Sequence, residues 1–128
     1  MALSETVEHY EVGDLIEFND DKRIRKKVIQ SRATACELIC YVPGQGTVQH
    51  KHPAQDEIFF IIEGEGTITF EDRDDIPVKK NGVVFVPAGV SHGIDANGPG
   101  NLVAIFFKGP GVMDKAAKGF MLGEQPGR

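Results

Sequence analysis

The amino-acid sequence predicts an all-β domain, and three observations carry that expectation. Its apolar residues fall in short, strand-length runs such as EIFFII, GTITF, VVFV and LVAIFF, rich in β-branched and aromatic side chains. Turn-forming residues punctuate those runs, with 15 glycines and 7 prolines among 128 residues. The hydrophobic fraction of 41% suits an ordinary core in one domain and a chain too short for two.

Charge and patterning exclude several classes of partner. A net charge of −5 gives no electrostatic support for nucleic acid or an anionic membrane. No apolar run approaches the ~20 residues that span a bilayer. The beginning, MALSETVEHYEVGD, is acidic and has no apolar stretch, so no signal peptide is expected and a cytoplasmic location is the default.

Taken in order, residues 1–9 read as a polar lead-in that could pair with a partner subunit. Tyr10–Phe18, with Val12, Leu15, Ile16 and Phe18, reads as a short strand, closed by the turn cluster Asn19-Asp20-Asp21. Lys22–Lys27 then carries five basic residues in six. Such a run suits an edge strand whose lysines discourage edge-to-edge pairing; the functional alternative is a site for an anionic ligand.

Ala33–Val42 reads as a strand with Cys36, Leu38, Cys40 and Val42 on a dry face. The other face, Ala35, Glu37, Ile39 and Tyr41, is mixed and suits solvent or a ligand cavity. Four extended residues separate Cys36 from Cys40 by about 13 Å, beyond the roughly 7 Å reach of a disulfide. Both thiols are therefore expected to be free, buried small hydrophobes.

The stretch from Gly44 to Gly64, GQGTVQHKHPAQDEIFFIIEG, holds the chemistry. His50 and His52 on one strand share a face, about 6.6 Å apart at the Cα atoms, near enough for both imidazoles to reach one ion. Pro53–Asp56 turns the chain, and Glu57 opens an apolar strand beside them. His92, in PAGVSH after another apolar run, is the candidate fourth member. Three of the four histidines thus join one glutamate in a metal-ligand pattern, while His9 sits in a polar stretch. Parity puts Phe59 and Ile61 on the face of Glu57, and Ile58, Phe60 and Ile62 on the opposite one. A strand apolar on both faces must be covered twice, by a second sheet or by a subunit interface. Glu57–Phe70 reads as a hairpin turning at Glu63–Gly66, and Asn81-Gly82 as a hairpin turn. Leu102–Phe107 reads as a last strand completing the sheet of His92. Beyond Gly111 a short helical turn at Met113–Lys118 is expected, with Phe120, Met121 and Leu122 tucked against the body.

These residues carry a family resemblance. Gly44-x5-His50-x-His52-x4-Glu57-x6-Gly64 resembles the first motif of the cupins at every position, and Gly82–His92 resembles the second. The second motif's glycine position is held by Asn81, with Gly82 following, and its distal asparagine falls at Ala96, one place before Asn97. The resemblance implies a double-stranded β-helix, or jelly-roll, barrel over residues 33–107. Residues 1–32 would add N-terminal strands and a dimer contact, and 108–128 a tail packed on the barrel. It implies one divalent transition metal per chain (Fe, Mn, Ni, Zn, Co or Cu) on His50, His52, Glu57 and His92, and often a homodimer. The expected function is metal-dependent binding of a small organic molecule with dioxygenase-like, lyase or isomerase chemistry. Phe59, Ile61 and Tyr41 would shape the pocket, and Tyr41 or Glu37 would supply a proton. The alternatives are a non-catalytic metal and small-molecule binder, and a sugar-phosphate isomerase or epimerase using Lys22–Lys27 to hold phosphate.

Overall fold

In the computed structural model, residues 3–111 are described. After one helical turn, α1 (Val12–Leu15), come β1 (Ile24–Gln30), β2 (Ala35–Tyr41), β3 (Gly46–His50), β4 (Asp56–Glu63), β5 (Glu65–Phe70), β6 (Ile76–Lys79), β7 (Val83–Val86), β8 (His92–Asp95) and β9 (Leu102–Gly109). They form a five-stranded sheet, β1-β2-β9-β4-β7, and a four-stranded sheet, β3-β8-β5-β6. Every pairing is antiparallel. The all-β expectation holds. The tail expected at Met113–Lys118 and at Phe120, Met121 and Leu122 lies outside the described residues.

The core lies between the sheets. Ile39, Tyr41, Phe59, Ile61, Ala104 and Phe106 reach it from the larger sheet, and Ile68, Val78 and Ile94 from the smaller. Period-two alternation explains the selection. Phe59 pairs with Phe106 and Phe106 with Glu37, so these three side chains share the inner face. Their neighbours Ile58, Phe107 and Cys36 share the outer one. Cys36 and Cys40 are buried and free, as the sequence predicts.

Tyr10–Phe18 does not form the expected strand. Val12, Leu15, Ile16 and Phe18 instead pack on Leu38, Cys40 and Val103, covering the outer face of β2 and β9 from within the same chain. The i, i+3, i+4 spacing of Val12, Leu15 and Ile16 suits one helical turn laid over a sheet.

The two expected hairpins are also not hairpins. Gly64, at φ +85°, sends β5 to the other sheet, away from β4. Asn81, at φ +72°, likewise carries the chain from β6 in one sheet to β7 in the other. A turn with positive φ reverses direction but does not dictate who pairs, and here the non-local ladder of β4 with β9 prevails. β9 for the same reason joins the sheet of Glu57, not that of His92.

Candidate metal centre

Two sheets contribute to one cluster. β3 and β8 pair so that His50 lies directly opposite His92. β3 ends at His50, and His52 follows in an irregular step before the Pro53-Ala54 turn. The His52 carbonyl accepts a hydrogen bond from Gly89 N–H at 2.9 Å, tying the His52 loop to the Pro87–Gly89 turn that precedes His92. Glu57 enters from β4 on the opposing sheet.

The four side chains offer ligand atoms that all lie within 4.8 Å of one another. His52, Glu57 and His92 are buried, and His50 is half-buried. Ring centroids stand 4.5 Å apart for His50 and His92, 4.9 Å for His50 and His52, and 5.6 Å for His52 and His92. The Nε2 atoms of His52 and His92 lie 2.7 and 3.0 Å from Glu57 Oε1.

Outer contacts orient two of the rings. Nδ1 of His50 lies 2.8 Å from the Val48 carbonyl, and Nδ1 of His92 lies 2.9 Å from that of Val90. A carbonyl only accepts, so each Nδ1 carries a proton and Nε2 is the atom turned into the cluster, where a neutral ring would offer it to a metal in place of the contact with Glu57. Burial by itself raises the Glu57 pKa, but the His52 and His92 rings beside it outweigh burial and lower it to about 2. Glu57 is therefore a carboxylate. Three imidazoles and a carboxylate, buried and converging at this range, fit a divalent transition metal.

His50, His52 and Glu57 line one end of a cavity of about 200 Å³, and His92 backs the cluster with 1% exposure. Tyr41, Phe59, Ile39, Ile94 and Phe106 form its apolar wall. Tyr41 is buried, and its hydroxyl lies 2.7 Å from Thr47 Oγ1. Burial pushes its pKa up to about 12. Phe59 packs edge-on to His92 at 5.8 Å. Ile61 belongs to the core behind the cavity and is not part of its lining.

Glu37 is 2% exposed and held between two cations: Arg25 Nε at 2.8 Å and Lys108 Nζ at 2.9 Å. Those cations, with Arg23 and Lys51, line the cavity that Glu37 itself does not. No sequence signal marks Lys108 or Lys51 as inward, and the basic run Lys22–Lys27 does not show which of Arg23 and Arg25 turns inward. Register supplies that answer, because Arg25 pairs with Ile39 on the inner face of β2.

Residues 37–107 match the family model described as Cupin domain. An oxalate-binding protein of Thermotoga maritima is 31% identical over 75 residues, which cover 59% of this chain and 61% of that protein. An uncharacterized protein of Methanocaldococcus jannaschii is 36% identical over 72 residues, 56% of this chain and 54% of that one. The chain thus spans less than two thirds of the length of these relatives. Among solved structures, a Klebsiella pneumoniae protein with a double-stranded β-helix domain superposes with a TM-score of 0.76 at 20% identity, covering 83% of this chain and 92% of that one, which speaks for the fold alone. A predicted oxalate decarboxylase from Thermotoga maritima superposes with a TM-score of 0.63 at 25% identity, covering 68% of this chain and 79% of that one. With the family match spanning more than half the chain and all four donor residues, on two antiparallel sheets enclosing one core, this chain belongs to the cupin domain family.

Proposed function

We propose that this cupin holds one divalent transition metal on His50, His52, Glu57 and His92 and acts on a small organic molecule beside it. The observation that carries the reading is the convergence of four buried or half-buried ligand atoms within 4.8 Å at one end of a cavity. Such a donor set suits Fe, Mn, Ni, Zn, Co or Cu. When bound, the ion supplies Lewis-acid or oxygen chemistry to the ligand's oxygen atoms.

The chain's own residues have separable roles in this reading. The Val48 and Val90 carbonyls hold the His50 and His92 rings in register with the site. Phe59 and Phe106, with centroids 5.4 Å apart, keep water from the wall beside His92. Tyr41, with its pKa up at about 12, remains a neutral hydroxyl that presents a proton or accepts one hydrogen bond. The volume of about 200 Å³ lies below the roughly 300–1,000 Å³ of pockets for drug-sized ligands. That size favours a compact ligand.

Metal-dependent turnover, dioxygenase-like or of another small-molecule class, is the first reading. A carrier without turnover is the second, favoured by the relative whose name records oxalate binding. Oxygen uptake and product analysis with diketones, catechols and small organic acids separates them. Turnover that needs added metal and vanishes in His52→Ala supports the enzyme. Saturable binding without turnover across the panel supports the carrier.

We also infer a homodimer, resting on the outer face of β9, β4 and β7. There Phe107, Ile58 and Phe85 stand side by side in register and are 40%, 43% and 57% exposed. The chain's own N-terminal segment covers β2 and β9 at Leu38, Cys40 and Val103, leaving this part of the sheet open.

A further inference from the structure

Glu37, Arg25 and Lys108 pose a physical question. Lys108 and Glu37 are 4% and 2% exposed, and burying an ion pair costs more in lost hydration than its attraction reliably returns. Hydrophobic residues of similar size would hold the wall at least as well. The charges therefore need a reason beyond packing.

Their placement supplies one. Glu57 pairs with Lys108 across β4 and β9, and both face inward. Going on across the inner face, Lys108 reaches Glu37 on β2, and Glu37 reaches Arg25 on β1. The cations thus begin on the strand next to that of the metal cluster's carboxylate, with Lys108 directly opposite Glu57, and continue outward to the sheet edge at β1. The Lys108 ammonium also sits over the Phe106 ring at 5.6 Å, held away from bulk water by the same aromatic wall. Arg23, Arg25, Lys51 and Lys108 line a cavity whose only lining carboxylate, among the described residues, is Glu57. Even with Glu37 counted behind the wall, two positive charges remain in excess before any metal is added. The protein as a whole carries −5. A cationic cavity in an acidic chain selects anions.

Resting on the metal-centre reading above, we propose that Arg25 and Lys108 form an anion subsite beside the metal cluster, and that the ligand is a small dicarboxylate. One carboxylate meets the metal end, and the other meets Arg25 and Lys108. Glu37 is a positioning residue: it fixes both cations at ion-pair distance and leaves the group of three with one net positive charge for the ligand. Half-exposed Arg25, at 45%, marks the entrance, and buried Lys108 the inner wall.

Isothermal titration calorimetry with three matched pairs of acids tests this: oxalate against acetate, malonate against propionate, and succinate against butyrate. At least one diacid should bind about tenfold or more tightly than its monoacid partner, the value of one charge-assisted contact. Chelation at the metal alone also favours diacids, so the decisive samples are variants. Arg25→Gln and Lys108→Met should each remove most of the diacid advantage and leave metal content unchanged, with Lys108→Arg restoring it. If Lys108→Met fails to fold, Glu37→Gln/Lys108→Met removes the buried pair together and takes its place. A diacid advantage that survives in both Arg25→Gln and the Lys108 variant, or no advantage in metal-loaded protein, overturns the subsite. Metal content is read on the same samples. Wild-type protein without metal whose diacid preference disappears in Arg25→Gln overturns the metal reading alone.

Discussion

At the scale of residues, the cluster is defined by which atoms are pinned before any ion arrives. His50 and His92 donate from Nδ1 to main-chain carbonyls within their own segments, so their orientation is set locally. Glu57 is set by the far sheet and has a different electrostatic history. Its pKa of about 2 lies below the roughly 4.3 of a carboxyl in the unfolded chain. A depressed pKa contributes stability that is complete above the unfolded value and is lost only as pH falls towards the folded one. Glu57 is thus ionised throughout mild acid, and metal leaves when protons compete with it for the histidine nitrogens. Metal-loaded protein titrated down from about pH 7.5 should release its ion while Glu57 is still a carboxylate; retention down to about pH 3 would point to carboxylate ligation without the histidines. His52→Ala should lose most metal at neutral pH and melt lower, because Glu57 keeps a buried oxygen with one fewer imidazole beside it. That loss is about 1–3 kcal/mol. These residues were legible in the sequence, because His-x-His, the glutamate and PAGVSH encode spacing and side-chain type directly. Lys108 was not, since a lysine at the end of an apolar strand looks solvated until its cross-strand neighbours are known.

At the scale of elements, strand parity was legible and strand partnership was not. The alternation in EIFFII sorts Phe59 inward and Ile58 outward, as the pairing with β9 bears out. The turns around Gly64 and Asn81 carry hairpin chemistry, yet both hand the chain from one sheet to the other. Only the long-range ladders decide that, and no local signal records them. One consequence concerns β3 and β8, the two strands that set His50 against His92. Gly93 sits at a close approach between them: a Cβ there would stand 2.7 Å from the Thr47 carbonyl oxygen and 2.9 Å from Thr69 Oγ1 on β5. Gly93→Ala must push β3 away, at a cost of about 1–3 kcal/mol, and carry His50 from His92. Thermal melts with and without metal should show a lower Tm and a smaller rise on loading. An unchanged melt in both conditions would mean that the strand pair yields without disturbing the site.

At the scale of the whole molecule, the larger sheet has one face on the core and another that the described residues only partly cover. The N-terminal segment, read from sequence as a strand, lies over Leu38, Cys40 and Val103. Phe85, Ile58 and Phe107 remain exposed in one row. A row of this kind on the outside of an acidic protein is suited to a second copy, each protecting the other from water. Sedimentation velocity should give a dimer for wild type and a monomer for Phe85→Asp, with the same circular dichroism. A wild-type monomer at tens of micromolar would assign the patch elsewhere. Among the described residues no helix is long and apolar enough to cross a membrane.

The central claim is that four residues from two sheets hold one metal ion. Elemental analysis of untagged wild-type protein beside His92→Ala tests it most directly. The predicted result is about one Fe, Mn, Ni, Zn, Co or Cu per wild-type chain and a loss of most of it in the variant. Equal metal content in the two proteins, or none in wild type after loading with each ion, would contradict it.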